Sequence, residues 1–119
     1  MNTMLKKSIC DRYPLIFAQP DVIECGDGWF SLIEVLCYQL HFWINENGAP
    51  QVVAEQVKSK FGRLSFLYRG GNDVTSGMIY MSEAMSPRIC EVCGKPGKTE
   101  AAPNRWLRTR CPEHVQTIA

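Results

Sequence analysis

The sequence predicts an α+β fold: a central helix packed with a short antiparallel β-hairpin and a second helix, followed by a smaller C-terminal module. Apolar residues recur at three- and four-residue steps through residues 29–44, the period of a helix with one buried face. Large apolar side chains stand at every second position of residues 64–68, the period of a half-buried strand. Beyond residue 85 the composition changes, because four of the seven prolines and three of the six cysteines fall there. We therefore expect a core at residues 1–85 and a module at residues 86–119 docked on it as one compact domain.

Two helices are predicted in the first half of the chain. Residues 4–13 have moderate helical character, and the helix stops before Pro14 because the residue before a proline is pushed out of the α region. Residues 14–20 are then expected to form an extended connection. The strongest helix spans residues 28–47, with Asp27 placed to cap its start and Gly48 its end. Its predicted buried face consists of Trp29, Leu32, Ile33, Leu36, Leu40, Trp43 and Ile44.

Two strands and a further helix follow. Residues 51–57 and 64–68 are predicted strands joined by a turn at residues 58–62. Two antiparallel strands are marginal on their own, so we expect them to pack on the central helix. Asp73 follows two glycines and is placed to cap a helix over residues 74–85. The predicted buried side of that helix consists of Met78, Ile79, Met81, Ala84 and Met85.

The overall composition is that of a globular protein, with 45% hydrophobic residues, 21% charged residues and a net charge of +1. It indicates neither disorder nor a coiled coil. The most apolar stretch, residues 29–44, is interrupted by polar residues and is shorter than the ~20 residues of a membrane-spanning helix. Residues 1–11 lack the apolar run of a secretory signal. We therefore expect a cytoplasmic protein without membrane contact, whose remaining cysteines are reduced thiols: Cys10, Cys25 and Cys37.

Four metal-binding side chains form two pairs in the C-terminal module: Cys90-x-x-Cys93 and, 17 residues later, Cys111-x-x-His114. Zinc takes four ligands in a tetrahedron and prefers thiolate and imidazole donors. Each pair can supply two corners from one tight turn, and the spacer falls in the range of ribbon-type sites. The sequence therefore predicts one zinc ion bound by all four residues. Because a catalytic zinc keeps one position for water, this filled set predicts a structural ion and no catalytic residue.

Two flanking residues indicate how the metal site is built. Gly94, directly after Cys93, is typical of a zinc knuckle, in which backbone amides turn toward the sulfur. Pro112, directly after Cys111, favours the start of a helix, and the positive end of a helix stabilises a thiolate. A knuckle followed by a helix start is the plan of a treble clef. A zinc ribbon is the alternative, and the pattern leaves both open.

Two further groups of residues are candidates for binding or catalysis. Cys37 and His41 are four residues apart in the central helix and could form a second metal site or a nucleophile and base. No third partner is visible, and a buried cysteine beside a partly exposed histidine is the simpler interpretation. In Cys25-Gly-Asp-Gly-Trp29, glycines would let the backbone approach a ligand held by Asp27 and Trp29. The alternative, which we favour, is a helix cap with a packed tryptophan.

Cations near aromatic residues form the remaining candidate surface. Residues 86–119 contain six Lys/Arg and three acids, whereas residues 1–85 contain seven Lys/Arg and nine acids. Such residues suit nucleic acid, because bases stack on aromatic rings and cations meet phosphates. They equally suit a protein interface, or Trp106 packing over the metal site with the arginines in water. The candidate contacts are Lys58, Lys60, Arg105, Trp106, Arg108 and Arg110.

Four motifs cover most of residues 20–115: Cys25-Gly-Asp-Gly-Trp29-Phe30, Gln56-Val57-Lys58-x-Lys60-Phe61-Gly62-x-Leu64-x-Phe66, Ile89-Cys90-x-x-Cys93-Gly94-x-Pro96-Gly97 and Trp106-x-x-Thr109-x-Cys111-x-x-His114. As an ordered set they resemble small, mostly uncharacterised zinc-binding proteins of tailed phages and prophages. One departure is Gly62-Arg63, where Gly-Gly is expected. The resemblance implies a phage or prophage origin, the metal site and the cytoplasm of a bacterial host cell, but no reaction.

The expected function is that of a non-enzymatic accessory protein acting through protein–protein contact. Phage proteins of this size often bind a host or defence protein, and inhibition of such a factor is the mode of action that this analogy suggests. A nucleic-acid-binding zinc protein that uses the basic module is the alternative. A treble-clef nuclease is a third hypothesis, although the histidine-rich signature of such nucleases is missing.

Overall fold

A computed structural model of the chain describes residues 1–115 and has an α+β architecture. Within these residues there are three helices, a three-stranded sheet of order β1-β2-β3 and a separate two-stranded sheet. Residues 116–119 of the predicted module lie outside the described part. In chain order the elements are α1 (Thr3–Arg12), β1 (Ile23–Glu24), a 3-10 turn (Asp27–Trp29), α2 (Phe30–Asn47), β2 (Val52–Lys60), β3 (Arg63–Gly70), α3 (Asp73–Met85), a second 3-10 turn (Ser86–Arg88), β4 (Lys98–Ala101) and β5 (Leu107–Arg110).

The first helix forms where it is predicted, but the connection after it is not extended. The Asn2 side chain caps α1 by accepting a hydrogen bond from the Leu5 amide at 2.9 Å. After α1 the chain makes a turn in which Ile16 and Phe17 are buried in the core, and the Ile16 carbonyl accepts from the Ala54 amide of β2 at 2.8 Å. The short strand β1 then pairs in parallel with β2. Two residues are too few to show a strand period, so the sequence did not indicate β1.

The central helix is confirmed, but its predicted cap is wrong. Helix α2 buries Ile33, Leu36, Cys37 and Leu40, whereas the predicted Leu32, Trp43 and Ile44 are only half-buried. It ends at Gly48, whose φ of 71° is left-handed. The residue before its first turn is Trp29, which makes no side-chain capping bond. Asp27 lies in the preceding 3-10 turn, and its carboxylate accepts hydrogen bonds from the Asn2 backbone and side chain at 2.7 and 3.1 Å. Asp27 therefore holds the start of α1 instead of the start of α2.

The β-hairpin is confirmed with a tighter turn than expected. Strand β2 continues to Lys60, which pairs with Arg63, so the predicted turn at residues 58–62 shrinks to Phe61-Gly62. Both turn residues are left-handed, with φ of 55° and 77°. This conformation matches the twist of the flanking strands in a two-residue hairpin. Arg63, the departure from the expected Gly-Gly, is the first residue of β3.

Helix α3 is also confirmed, but its cap and its buried side differ from the prediction. Asn72, and not Asp73, caps it, by accepting from the amides of residues 74 and 75 at 3.1 Å each. Of the predicted buried residues only Ile79 is buried, and Met81 and Met85 are exposed by 59% and 48%.

Polar groups of α3 face the sheet because β3 is an edge strand. The Ser86 hydroxyl, at the end of α3, accepts from the Leu64 amide at 2.8 Å, and the Glu83 carboxylate accepts from the Phe66 amide at 2.8 Å. A buried edge strand needs such acceptors for its free N–H groups. These contacts orient α3 so that Met81 and Met85 lie outward, whereas Met78 packs against the core.

One continuous cluster of buried side chains joins the helices to the three-stranded sheet. Ile89, directly before the first metal-binding pair, packs against this cluster. The cluster includes Ile9, Ile16, Ile23, Trp29, Ile33, Leu36, Leu40, Val52, Val57, Leu64, Phe66 and Ile79.

Candidate metal centre

The first pair of candidate ligands lies on a tight turn that follows Ile89. The Cys90 amide donates to the Lys95 carbonyl at 2.8 Å, and the Gly94 amide donates to the Cys90 carbonyl at 2.9 Å. Gly94 has a left-handed φ of 84°, a conformation that glycine adopts without strain. Ile89 and Pro96 form an antiparallel bridge at the base of this turn. Residues 89–96 therefore form a tight turn at the position of the predicted knuckle, and we refer to this turn as the knuckle.

The second pair follows the antiparallel hairpin of β4 and β5. Cys111 comes directly after β5, and its carbonyl accepts from the amides of His114 and Val115 at 3.0 and 2.9 Å. These bonds wind residues 111–115 into one turn, which places the two ligand side chains on the same side. The β4–β5 hairpin thus separates the two pairs along the chain, and its folding brings them together.

The four ligand atoms lie within 4.8 Å of one another. The Cys93 and Cys111 sulfurs are 3.6 Å apart, and His114 Nδ1 lies 3.2 Å from the Cys111 sulfur and 3.7 Å from the Cys90 sulfur. Zinc–ligand bonds of about 2.0–2.3 Å in a tetrahedron place neighbouring ligand atoms roughly 3.5–3.8 Å apart. The cluster is therefore close enough to bind one metal ion. Cys90 and Cys111 are buried and Cys93 is exposed.

The backbone around the knuckle favours a thiolate at Cys90. Burial raises the pKa of the Cys90 thiol, but the Cys111 amide and two knuckle amides outweigh this effect and lower the pKa to about 6. The Lys95 amide lowers the pKa of Cys93, but the partial loss of water around the sulfur and the neighbouring Cys111 and Cys90 sulfurs raise it more, so the pKa of this thiol lies above its ordinary value. Crowded thiols resist ionising together, and a divalent cation among them removes that resistance.

The knuckle docks on the Cys25-Gly-Asp-Gly-Trp29 loop through its backbone. The Gly28 amide donates to the Glu91 carbonyl at 2.7 Å, and the Gly26 amide donates to the Glu91 carboxylate at 2.9 Å. A Cβ at Gly26 would collide with the Glu91 carbonyl, and one at Gly28 would collide with the Cys90 carbonyl. Both glycines are therefore required by the close approach of the knuckle.

The tryptophan of this loop is fully buried, and its ring N–H donates to the Ile89 carbonyl at 2.9 Å. Trp29 is therefore not available for the predicted ligand role, and the Asp27 carboxylate accepts its two hydrogen bonds from Asn2. The loop is instead the platform that holds the knuckle against the core. From the local sequence alone these glycines fit a helix cap, because their partner Glu91 lies more than sixty residues away in the chain.

A second contact joins the β2–β3 turn to the module. The Thr109 hydroxyl of β5 donates to the Gly62 carbonyl, and Thr99 of β4 lies 2.6 Å from the Thr109 hydroxyl. Thr109 is fully buried. The turn of the core hairpin therefore rests on the β4–β5 hairpin.

The six predicted surface contacts lie on these same elements. Lys58 and Lys60 belong to β2, Arg105 and Trp106 to the β4–β5 loop, and Arg108 and Arg110 to β5. Trp106 is 68% exposed, so little of its surface packs on the metal site or elsewhere on the described part of the chain. Arg108 donates to the Val115 carbonyl, and Arg110 donates to the His114 carbonyl at 3.3 Å. These two arginines therefore help to hold the second ligand turn.

Cys37 and His41 lie in different environments, one buried and the other exposed. Cys37 is fully buried, and burial raises the pKa of its thiol. His41 is exposed, lies edge-on to the Tyr13 ring at 5.7 Å and is 3.0 Å from the Asn45 amide. Burial likewise raises the pKa of Cys25 to about 12. Both buried cysteines are thus neutral core side chains at physiological pH.

An apolar groove of about 790 Å³ between α2 and α3 was not predicted from the sequence. Val35 of α2 and Met78, Met81 and Met85 of α3 line it, and the knuckle contributes Cys93 at one end. Its methionines recur at the helical period that also predicts a core position. The groove depends on the orientation of α3, which the sequence pattern does not report.

No protein-family model matches the chain, and neither the curated proteins nor the solved structures contain a significantly similar one. None of the helices formed by residues 1–115 has the length and apolar character needed to cross a membrane.

Proposed function

We propose that Cys90, Cys93, Cys111 and His114 hold one structural zinc ion. Three sulfurs and one imidazole nitrogen are donors that zinc prefers, and together they fill its tetrahedron without a position for water. The order of knuckle, hairpin and single turn supports a treble-clef-like form over a ribbon, because the second pair begins a helical turn. Zinc binding on the order of 10–16 kcal/mol would then supply most of the folding free energy of the module.

We further propose a non-enzymatic function in which the protein binds another protein through the α2–α3 groove. The observation that supports this function is the exposure of an apolar groove, since monomeric proteins rarely leave such a surface uncovered. Among residues 1–115 the cysteine–histidine quartet is the only cluster of metal-binding side chains, and zinc would use all four. The resemblance to phage and prophage proteins suggests the class of partner: a host or defence protein in the bacterial cytoplasm.

Site-specific photo-crosslinking in the bacterial host tests this function. A photoreactive amino acid replaces Met81, which lines the groove, and in a matched variant it replaces Tyr80, which does not. The two neighbours are similarly exposed, by 59% and 65%. We expect one discrete adduct of a second protein at position 81 and none at position 80. Absence of an adduct at position 81, or equal adducts at both positions, would contradict the proposal.

A specific observation also supports the nucleic-acid alternative. Phe61 has a left-handed φ of 55° at the tip of the β2–β3 hairpin, where glycine, asparagine or aspartate is preferred, and its ring is 64% exposed. The Lys60 ammonium lies 6.0 Å from that ring. An exposed aromatic ring beside a cation suits base stacking and phosphate contact.

A mobility-shift assay at low salt separates this alternative from protein binding. We expect any shift of single-stranded RNA or DNA to weaken in Phe61→Ala and Trp106→Ala and to decline steeply as salt rises. Met81→Glu should leave the shift unchanged, because this residue lies in the groove. A complete absence of a shift at low salt would remove the alternative.

A further inference from the structure

We infer that the α2–α3 groove binds a basic amphipathic helix of the partner protein. The apolar face of this helix would lie on the methionines of α3, with a lysine or arginine beside Asp27. This inference rests on the proposed protein-binding function and adds the shape and charge of the bound segment.

The shape of the groove fits a helix. Its two walls are helices, and their apolar side chains project between them: Val35 of α2 is 60% exposed, and Met81 and Met85 of α3 are 59% and 48% exposed. A third helix can cover both rows with anchors at positions i, i+3, i+4 and i+7. Methionine is flexible and polarisable, so this wall can adapt to the side chains that it receives.

Gly77 indicates how closely the occupant approaches. It lies inside α3, where glycine is less favourable than every residue except proline. A Cβ at this position would have no neighbouring atom within 4 Å, so the described part of the chain does not require glycine here. Gly77 lines the groove, and its missing side chain leaves room for the backbone of an incoming helix.

A single carboxylate in the groove, that of Asp27, favours a basic helix as the occupant, because its hydrogen bonds from the neutral Asn2 leave its negative charge in place. Helices α2 and α3 contain four acidic residues and no lysine or arginine. Two of these acids are engaged elsewhere, since Glu34 pairs with Arg12 and Glu83 binds the Phe66 amide. Among the described residues that line the groove, Asp27 is the only charged one. A cation on the partner complements this carboxylate.

A second copy of the chain is disfavoured as the occupant. If the grooves of two copies packed on each other, α2 and α3 of one copy would face the equally acidic α2 and α3 of the other. Its α1 contains Lys6, Lys7 and Arg12, but Ile9 of that helix is fully buried and Leu5 lines the groove of its own chain, which leaves Met4 as a single exposed apolar side chain and not an apolar face. The chain therefore lacks a free helix that is both basic and apolar within residues 1–115.

Three synthetic peptides of about the length of α2 test the inference on the full zinc-loaded chain. The first is amphipathic, with leucines on one face and lysines at the rim. The second replaces the lysines by glutamates, and the third is a scrambled form of the first. Anisotropy of the labelled peptides should show the basic peptide binding at least about tenfold more tightly than the acidic one. The scrambled peptide should not bind.

Three variants locate the binding. Gly77→Leu should weaken the basic peptide by about tenfold or more, with an unchanged or higher thermal midpoint, because leucine is the better helix former. Tyr80→Leu, on the same helix but outside the groove, should bind as the parent chain does. Asp27→Asn should reduce the preference for the basic over the acidic peptide.

The outcomes separate this inference from the proposed function. Equal binding of basic and acidic peptides, or parent-like binding by Gly77→Leu, would overturn the inference. A protein adduct at position 81 without any peptide binding would overturn the inference that the occupant is a basic helix. It would keep the proposed protein-binding function. A chain that dimerises in solution and becomes monomeric in Gly77→Leu would assign the groove to a second copy and overturn the basic helix.

Discussion

The core and the module of this chain are stabilised by different interactions. Every helix and strand of residues 1–85 contributes at least one apolar side chain to a continuous buried cluster. Within residues 86–115 the buried side chains are instead Ser86, Cys90, Thr109 and Cys111, and no aliphatic side chain is among them. Hydrophobic burial therefore stabilises the core, whereas the module would depend on the proposed zinc ion and on its contacts with the core.

This difference explains how the two regions meet. A module without buried aliphatic side chains has little apolar surface with which to dock, and the contacts described above are mainly hydrogen bonds to backbone groups. They join Gly28 to Glu91, the Trp29 ring to Ile89, and Thr109 to Gly62. Such bonds need close backbone approach, which accounts for glycine at the contact positions of the core.

Loss of the metal is the change with the largest expected effect. We expect Cys93→Ser, or removal of zinc by a chelator, to unfold the module and leave the core folded, because only the module lacks its own apolar cluster. Amide hydrogen exchange measures this directly: protection should disappear in β4 and β5 and persist in α2.

The matched control for this change is Cys10→Ser, a cysteine of the core that is not a metal ligand. It should keep both the zinc and the protection of the module. Protected β4 and β5 amides in metal-free Cys93→Ser protein would show that docking on the core is sufficient to fold the module. Metal analysis that finds no zinc in the parent chain would remove the proposed site itself.

A cavity in the core should have the next largest effect. Ile33 is fully buried in α2, so Ile33→Ala should lower the free energy of unfolding by about 2–5 kcal/mol. At temperatures where the variant stays folded, its zinc affinity in a chelator competition should match that of the parent. Val35→Ala on the exposed side of the same helix should change the free energy of unfolding by no more than about 0.5 kcal/mol.

Features set by local sequence could be predicted, and the metal site is the clearest case. Each pair of ligands lies within one turn, so its spacing alone indicates that Cys90 and Cys93, or Cys111 and His114, can face one ion. The three- and four-residue spacing of apolar residues in α2 likewise indicates which face of this helix is buried over several turns. These signals need no knowledge of distant parts of the chain.

Features set by distant contacts were missed. The docking role of Gly28 depends on Glu91, and the rotation of α3 depends on the free amides of β3, which Ser86 and Glu83 satisfy. Because the local sequence does not show these partners, the spacing of Met81 in α3 fits a buried core position as well as a position that lines a groove. The candidate interaction surface was missed for this reason, although every residue of it was visible in the sequence.

A methyl group at the docking contact is the smallest of the three changes and tests the coupling between the regions. In Gly28→Ala the added Cβ collides with the Cys90 carbonyl, so the knuckle must move away from the loop. Overpacking of this kind destabilises proteins by about 1–3 kcal/mol. We expect a lower thermal midpoint together with weaker zinc binding, because the moved carbonyl belongs to a metal ligand.

Gly77→Ala is the matched control, since its Cβ meets no atom within 4 Å and alanine favours the helix by about 1 kcal/mol. It should keep the zinc affinity and raise the thermal midpoint slightly. If Gly28→Ala lowers the midpoint but binds zinc as tightly as the parent, the knuckle forms its half of the site without the core. The module would then be an independent folding unit that merely rests on the loop. If both quantities fall together, the loop shapes the metal site, and the core and module fold as one unit despite their different stabilising forces.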